Sequence, residues 1–489
     1  MKLKLTALIL LLKLTGSYAD VISRFNDIKQ DPNALYAFFK AMPKGGELHY
    51  HLAGGPYAET MLKLAESGNY CIDTNTYIMA PSTTPCKNIS AKDLPKDQKQ
   101  YIQTIQAWSM SHYVPGPESK HDHFFNSFQK FLNLVVDFRP ELLADVMKRA
   151  ADQHEHYLEI MDLPDNAASA GFGDLLKNTS YLDDKRTLLL KNTAFQDNIA
   201  KTVRESSHLL QKTRALLDCN SPSAPAACQV KITFLYYVLR EQPLDNVFAQ
   251  ALNGFEAISR SKGELVGINL VQPENGYISL RDYRAQMKIF NYLHQKYPNV
   301  HISLHAGELS HANATPEDLG FHVHDAVLTA HAERIGHGVD IAAENDLHTT
   351  LDHMLKHQVA VEINLISNKE ILNVSGKEHP LKFYLSNNIP VVLSTDDEGI
   401  LRTDLTQQYV EAALVQGLDY PAIKQINRNA LSYAFLPGAS IWTDNQKAEI
   451  RSECKDLNSA SCKTFVETSE KAKLQWQLEQ QLKDFEMTF

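Results

Sequence analysis

Eight short apolar runs, most of them separated by stretches with helical apolar spacing, constrain the fold of this sequence more than any other feature. The runs are residues 46–52, 156–163, 231–240, 265–271, 301–308, 334–339, 359–365 and 389–395. Strands that alternate with helices form a parallel sheet, and eight of them predict a closed (β/α)8 TIM barrel, an α/β fold. A doubly wound open sheet is the alternative, but its glycine-rich phosphate loop after the first strand is absent.

Two segments fall outside a plain barrel. Residues 66–120, between the first strand and its helix, are rich in Pro, Ser and Cys and predict a small disulfide-pinned insertion on the catalytic face. Residues 441–489 predict a helical extension at the carboxyl end. Its apolar side chains recur at helical spacing at Leu474, Leu478, Leu482 and Phe485. We interpret this stripe as core packing.

The first nineteen residues predict export. A basic start, an apolar centre and a small-x-small ending at Ser17 and Ala19 form a secretory signal pattern. Cleavage after Ala19 would leave residues 20–489 as one barrel domain. A membrane anchor is the alternative, but the apolar segment carries Lys13 and is shorter than the roughly 18 to 20 residues that a span requires. We expect a secreted or periplasmic protein without a membrane span after cleavage.

The six cysteines fall into three close couples. They are Cys71 with Cys86, Cys219 with Cys228, and Cys454 with Cys462. In an exported protein an even number of cysteines indicates disulfides, and short loops are the simplest of the possible connectivities. Six reduced thiols in a cytosolic protein would require the signal pattern to be dismissed.

The charge pattern argues against a nucleic-acid partner. The formal net charge is -10 at pH 7, and the sequence has no long Lys/Arg run or stripe of the kind that a phosphate backbone requires. We expect a small-molecule substrate instead.

Polar side chains follow four of the predicted strands at their carboxyl ends. They are His49 and His51 after the first strand, His305 and Glu308 after the fifth, His337 after the sixth, and Asp396 and Asp397 after the eighth. A lone histidine is more often a hydrogen-bonded core residue than a ligand. In a barrel, however, the carboxyl ends of the strands converge on one face, where active sites are built.

Three imidazoles and one carboxylate suit zinc, with one position open for a water molecule that the metal would activate. Glu308 lies three residues beyond His305 and is a candidate general acid. His337, between glycines, could orient or deprotonate the water, and Asp397 could accept a hydrogen bond from substrate. The sequence lacks the H-E-x-x-H, P-C-x-x-C and G-x-S-x-G motifs of other hydrolases and deaminases.

Four sequence blocks resemble the signature blocks of the adenosine deaminases, a branch of the metal-dependent amidohydrolase barrels. They are MPKGGELHYHL at 42–52, SLHAGE at 303–308, RIGHG at 334–338 and STDDEG at 394–399. The signal pattern and the cysteine-bearing insertion further resemble the secreted adenosine deaminase-related growth factors. The resemblance implies hydrolysis of adenosine and 2′-deoxyadenosine to inosine and deoxyinosine, with release of ammonia.

The resemblance also assigns roles to individual residues. One zinc ion per chain would be bound by His49, His51, His305 and Asp396. Glu308 would protonate purine N1, His337 would assist attack at C6, and Asp397 would hold N7. Attack on an aromatic carbon needs both a strong nucleophile and a proton on the adjacent ring nitrogen, so this assignment agrees with the interpretation of the residues alone.

The sequence departs from the family pattern at three places. Ala53 stands where an Asp near the ribose is usual, and the segment NLVQPE has Asn269 and Gln272 where Asp and Gly are usual. These changes bear on ribose and purine-edge recognition, so Gln272 is a candidate substrate contact, and adenine or a modified adenosine is an alternative substrate. About twenty residues precede the first block after cleavage. We therefore expect any homo-oligomer to form without the long amino-terminal arm of the growth-factor branch.

An extracellular binding or growth-factor-like protein is the alternative from another functional class. Such a protein would use the barrel as a scaffold and act through residues 66–120. A degenerate scaffold would be expected to lack a metal ligand or the acid, and none is missing.

Overall fold

The polypeptide folds around eight parallel strands that close into a barrel. The computed structural model describes residues 20–82, 84–445 and 448–489. The barrel strands are β1 (Lys44–His51), β2 (Glu155–Asp162), β3 (Lys231–Leu239), β4 (Leu265–Val271), β5 (His301–Ala306), β6 (Arg334–His337), β7 (Ala360–Ile363) and β8 (Val391–Leu393). Each strand is hydrogen-bonded to the next in this order, and a parallel bridge between Tyr50 and Asp396 joins the residues after β8 to β1. The predicted TIM barrel is therefore confirmed.

Helices connect the strands and cover the barrel from outside. A helix that precedes β1 is Pro32–Ala41, and the helices between β1 and β2 are Ala58–Ala65, Gln98–Ala107, Lys120–Asp137 and Arg139–Asp152. Those between β2 and β6 are Leu182–Lys191, Thr193–Leu216, Leu244–Arg260, Tyr277–Lys296 and His322–Leu328. Those after β6 are Leu347–His357, Leu365–Leu372, Leu381–Ser386, Glu398–Leu401, Leu405–Leu414 and Tyr420–Ser432.

The strand sequences explain why they lie inside this layer of helices. Every residue of β4 is buried, and its uninterrupted apolar run is typical of a parallel strand that is covered on both faces. The strand predicted at 301–308 ends at Ala306, because Gly307 takes a φ of 76°. The strand predicted at 334–339 ends at His337, whose own φ is 70°. Residues in the left-handed region cannot continue a strand, and both turns carry residues of the predicted site.

The segment predicted as an insertion, residues 66–120, contains its own small sheet. Tyr70–Ile72 is the central strand and pairs antiparallel with Met79–Pro81 and Ile89–Ser90. The segment also holds the helix Gln98–Ala107, and it buries Trp108 completely. The backbone N–H of Met110 donates to the carbonyl of Ile400, at 2.8 Å. Ile400 follows β8, so the segment contacts the face of the barrel where the strands have their carboxyl ends.

The carboxyl-terminal segment packs through the predicted apolar stripe. It consists of the helices Ala460–Glu467 and Glu470–Glu486 and of a small antiparallel sheet. The stripe residues Leu474, Leu478, Leu482 and Phe485 are between 0% and 8% exposed, and they belong to the main apolar core. The prediction of core packing is confirmed.

All six cysteines form disulfides in the couples that their spacing suggests. The Cα–Cα distances are 5.5 Å for Cys71–Cys86, 5.4 Å for Cys219–Cys228 and 4.4 Å for Cys454–Cys462. The predicted signal segment, residues 1–19, lies outside the described residues. Within the described part of the chain, no helix combines the length and the apolar character needed to cross a bilayer.

A buried acid that follows β6 predicts how stability depends on pH. Glu344 is 5% exposed, and burial raises its pKa to about 7, although the backbone N–H of His324 donates to it at 3.0 Å. The folded state therefore holds a proton that the unfolded chain releases, and stability falls as pH rises from about 4.5 to about 7. We expect Glu344→Gln, which resembles the protonated form, to gain about 1 to 3 kcal/mol over the parent above this window.

Urea unfolding across the pH range measures this effect. The exposed Glu317 gives a matched control, because Glu317→Gln removes the same charge at the surface. If the stability difference between Glu344→Gln and the parent stayed constant from acid to neutral pH, the assigned titration would be wrong.

Candidate active site

Four side chains at the carboxyl ends of three strands converge on one point. His49 and His51 share the inner face of β1 because they are two residues apart on a strand, and His305 lies on β5. Asp396 follows β8 with a φ of 67°, which turns it toward β1. One nitrogen of each histidine and one oxygen of Asp396 all lie within 4.8 Å of one another. The structure thus brings together all four predicted metal ligands.

Hydrogen bonds to the Nδ1 atoms of two of these histidines orient their rings so that Nε2 points to the centre of the group. Nδ1 of His49 lies 2.7 Å from Glu362 Oε2, and Nδ1 of His305 lies 2.8 Å from the side-chain oxygen of Asn269. Each ring therefore donates from Nδ1 and leaves Nε2 free to coordinate a metal. Nε2 of His49 is buried without a hydrogen-bond partner among the described residues. An unpaired nitrogen at the centre of this group fits a bound cation.

The ionisation of the ligands suits a divalent metal. Burial lowers the pKa of His51 and lowers that of His305 well below its ordinary value, so both rings are neutral. Burial alone would raise the pKa of Asp396, but the imidazoles of His49 and His51, whose Nε2 atoms lie 3.3 and 3.2 Å from its Oδ1, hold that pKa well below its ordinary value. Neutral imidazoles and an ionised carboxylate are the donors that zinc prefers.

The structure gives Asn269 a role that the sequence did not predict. The sequence marked Asn269 only as a departure from the family pattern in NLVQPE, where Asp is usual. In the structure Asn269 is fully buried on β4, and its side-chain oxygen accepts from both the backbone N–H and Nδ1 of His305, at 3.1 and 2.8 Å. An inward position one strand away from His305 makes it a support for that ligand.

Glu308 occupies a buried turn beside the ligands. Burial and the charges of Asp396 and Glu274 raise the pKa of Glu308 well above its ordinary value. A carboxyl group that stays protonated at neutral pH can deliver a proton, as a general acid must. Its position is therefore consistent with the predicted acid role.

Glu274 supports this turn, a role that the sequence did not indicate. The carboxylate of Glu274 accepts from the backbone N–H groups of Gly307 and Glu308, at 3.0 and 2.7 Å. Nδ1 of His322 lies 2.6 Å from the same carboxylate. Glu274 is the last residue of NLVQPE. From the sequence, this segment was identified as a variant of a family block, but no role was assigned to Glu274. Glu274 fixes the backbone that carries the acid.

His337 faces the same space from β6. Its Nε2 lies 3.7 Å from Glu308 Oε1 and 3.9 Å from Asp396 Oδ2. Burial lowers its pKa to about 3, so the ring is neutral at any working pH. Its other nitrogen, Nδ1, lies 2.8 Å from the side-chain nitrogen of Asn368.

Asp397 presents an unpaired oxygen to the site. The residue is 3% exposed, and its Oδ1 has no hydrogen-bond partner among the described residues. Burial and the neighbouring charge of Asp396 raise its pKa well above the ordinary value. A Cβ atom at Gly54 would lie 1.9 Å from Asp397 Oδ1, so only glycine permits this close approach. A ligand can satisfy an oxygen held in this way.

Ala53 and Gln272, the other two departures from the family pattern, contact neighbouring parts of the protein. Ala53 is partly buried and packs against the apolar cluster of the insertion. Gln272 follows β4 with a φ of 86°, and its side-chain oxygen accepts from the backbone N–H of Glu241 at 2.9 Å. The role of Gln272 in substrate binding stays a prediction.

A buried ion-pair network lies beneath the ligands inside the barrel. Arg334, 1% exposed, contacts Glu362 at 2.6 Å and Glu159 at 2.5 Å. Its guanidinium also stacks 3.7 Å from the centre of the Phe435 ring. Glu362 therefore joins this network to His49, and the network ties strands β2, β6 and β7 to the first ligand.

Comparison with known proteins agrees with this arrangement. The family model described as "Adenosine deaminase" matches residues 43–456. An adenosine deaminase of Klebsiella pneumoniae (strain 342) is 36% identical over 137 residues. That region covers 28% of this chain and 38% of the relative, so the match spans well under half the length of that curated protein.

Two solved structures share the fold at low identity. The N6-methyl-AMP deaminase of Arabidopsis thaliana is 18% identical with a TM-score of 0.51, and the match covers 82% of this chain and 94% of that one. An amidohydrolase from Burkholderia ambifaria, solved with bound Zn, is 16% identical with a TM-score of 0.50, and the match covers 91% and 94% of the two chains. These likenesses show the barrel architecture.

Proposed function

This chain belongs to the adenosine deaminase family, and from that premise we propose that it is a zinc-dependent hydrolase of adenosine and 2′-deoxyadenosine that releases ammonia. One observation carries the proposal: a buried, protonated carboxyl group, Glu308, and a neutral imidazole, His337, face the same space as four converging metal ligands. Hydrolytic loss of an amino group from an aromatic ring requires this combination.

The metal site fits zinc by its donors. His49, His51 and His305 supply ring nitrogens and Asp396 supplies an ionised oxygen, and these four ligand atoms lie within 4.8 Å of one another. When bound there, zinc would lower the pKa of water and so make a nucleophile available near neutral pH.

The remaining residues explain how a purine would be held. The protonated Glu308 donates to N1 and passes its proton there as C6 is attacked. Since N7 of a purine is a hydrogen-bond acceptor, the raised pKa of Asp397 lets this carboxyl group donate to it. Nε2 of His337 lies 3.9 Å from Asp396 Oδ2, on the side of the site where the water must be oriented. Glu308 and Asp397 then act on N1 and N7 of the substrate, and His337 acts on the water.

The same chemistry on another 6-aminopurine is the second candidate. Ala53 and Gln272 favour it, because they replace residues that usually contact the ribose and the purine edge. We expect adenosine and 2′-deoxyadenosine to give the highest kcat/KM in a panel that includes adenine, adenylate and N6-methylated adenosine. A preference of tenfold or more for adenine or a modified purine would move the proposal to that substrate. No turnover of any member by zinc-loaded protein would overturn it.

We also propose that the protein works outside the cytoplasm. The three disulfides and the absence of a free cysteine support this, because disulfides persist in oxidising compartments. Fractionation of producing cells, with mass spectrometry of the mature amino terminus, tests it. Recovery of the protein in the cytoplasm with residues 1–19 retained would contradict it.

A further inference from the structure

We propose that His379 is a positioning residue for this reaction: through Asn368 it keeps the proton of His337 on Nε2, so that His337 offers an N–H to the reacting water. The inference rests on the proposed function, since His337 acts only if the reaction takes place beside it. It names a residue that lies outside the four signature blocks, and it decides between the two roles, orienting or deprotonating, that the sequence left open for His337.

The chain of hydrogen bonds begins at a backbone donor. The N–H of Leu381 lies 3.1 Å from Nδ1 of His379. A backbone N–H can only donate, so this nitrogen of His379 accepts and carries no proton. Burial lowers the pKa of His379 to about 4, and the ring is neutral at working pH. Its single ring proton is therefore on Nε2.

The second link orients an amide. Nε2 of His379 lies 3.0 Å from the side-chain oxygen of Asn368, which accepts the proton just assigned. The amide of Asn368 is thereby fixed with its nitrogen toward His337, at 2.8 Å from Nδ1. The backbone also holds Asn368 in place, since its N–H donates to the carbonyl of Asn364 at 2.9 Å and its carbonyl accepts from Val374 at 3.1 Å.

The last link sets the tautomer of His337. An amide NH2 group can only donate, so Nδ1 of His337 accepts and the proton of the neutral ring is on Nε2. That Nε2 is buried without a hydrogen-bond partner among the described residues. It lies between Glu308 Oε1 and Asp396 Oδ2, at 3.7 and 3.9 Å. A nitrogen that already bears hydrogen donates a hydrogen bond and accepts no proton there, so His337 orients the water and does not deprotonate it.

The burial of the three residues makes the network rigid. His337 and Asn368 are 0% exposed and His379 is 3% exposed. Water cannot replace a lost donor at such positions without rearrangement, and removing one partner leaves the others unpaired. The effect of His379 is therefore expected to reach His337 even though the two rings do not touch.

Two substitutions separate this role from simple packing. His379→Phe keeps a ring in the space but removes the donor, and we expect kcat to fall by about 10- to 100-fold with KM changed less than about twofold. His379→Gln places an amide N–H where Nε2 of the histidine was, and we expect it to recover most of kcat. Zinc content and the unfolding midpoint, measured for both variants, show that each is folded and loaded.

NMR of isotopically labelled histidine side chains reads the tautomer directly, independently of turnover. We expect His337 to be protonated on Nε2 in the parent and in His379→Gln, and to lose this preference in His379→Phe. The signal of His337 is identified by its loss in His337→Gln. Because the parent is measured too, the proposal stays testable if His379→Phe does not fold.

Three results would overturn the inference: a parent His337 protonated on Nδ1, an unchanged kcat in folded His379→Phe, or a His379→Gln as impaired as His379→Phe. Failure of the proposed function is distinguishable from these. In that case the parent turns over no purine in the substrate panel, while the tautomer measurement still reports whether the network exists.

Discussion

Glu308→Gln is expected to lower kcat on adenosine by about 100- to 10,000-fold, the range that a positioned general acid contributes. Gln keeps the size of the side chain but has no acidic proton to give. In the parent, burial together with the charges of Asp396 and Glu274 keeps Glu308 protonated. Because Glu274 binds the backbone N–H groups of this turn and not the side chain of Glu308, the turn itself is expected to survive the substitution.

The experiment is a steady-state assay on variants with verified zinc content. Glu317→Gln, at an exposed position outside the site, is the matched control and is expected to behave like the parent. Metal analysis is essential, because loss of zinc would mimic loss of the acid. A zinc-loaded Glu308→Gln that turned over adenosine at the parent rate would remove Glu308 from the mechanism.

Arg334→Met is expected to destabilise the protein by about 3 to 5 kcal/mol, the cost of leaving buried charges unpaired. Arg334 is 1% exposed and pairs with Glu159 and Glu362, both fully buried. Removal of the guanidinium leaves two buried carboxylates without their shared cation inside the barrel. Glu362 also holds His49, so we expect the variant to bind zinc more weakly as well.

Denaturant unfolding measures the loss of stability. Arg281→Met is the surface control: Arg281 is 50% exposed and pairs with Asp282, and such pairs contribute less than about 1 kcal/mol. The double variant Arg334→Met with Glu159→Gln is expected to recover part of the loss, because it removes one of the stranded charges. If Arg334→Met were no less stable than Arg281→Met, the network would not support the barrel.

The sequence was sufficient to predict the barrel and the convergence of the four candidate ligands, because both leave local patterns. The run at 265–271 coincides with β4, since a strand buried on both faces is apolar throughout. His49 and His51 were predicted to share one face of the strand, because side chains two residues apart on a strand point to the same side. The strands at 301–308 and 334–339 were predicted too long. A residue with left-handed backbone ends each of them, and the pattern of apolar residues carries no information about the φ angle.

The supporting residues could not be predicted, because they act across long sequence separations. Glu274 binds the turn of Glu308 through backbone N–H groups, which carry no side-chain signal. Asn269 was noted only as a departure from the family pattern in NLVQPE, and its contact with His305 shows that it supports this predicted ligand. Likewise, Asn368 and His379 lie in ordinary polar sequence, and three-dimensional contact alone connects them to His337.

The central claim is zinc-dependent purine deamination, and one ultraviolet experiment tests it most directly. Purified protein is mixed with adenosine, as isolated, after zinc chelation, and after zinc is restored. We expect the fall in absorbance that accompanies conversion of a 6-aminopurine to a 6-oxopurine, its loss on chelation and its return with zinc. A fall that persists in fully zinc-free protein, or no fall in zinc-loaded protein, would contradict the account.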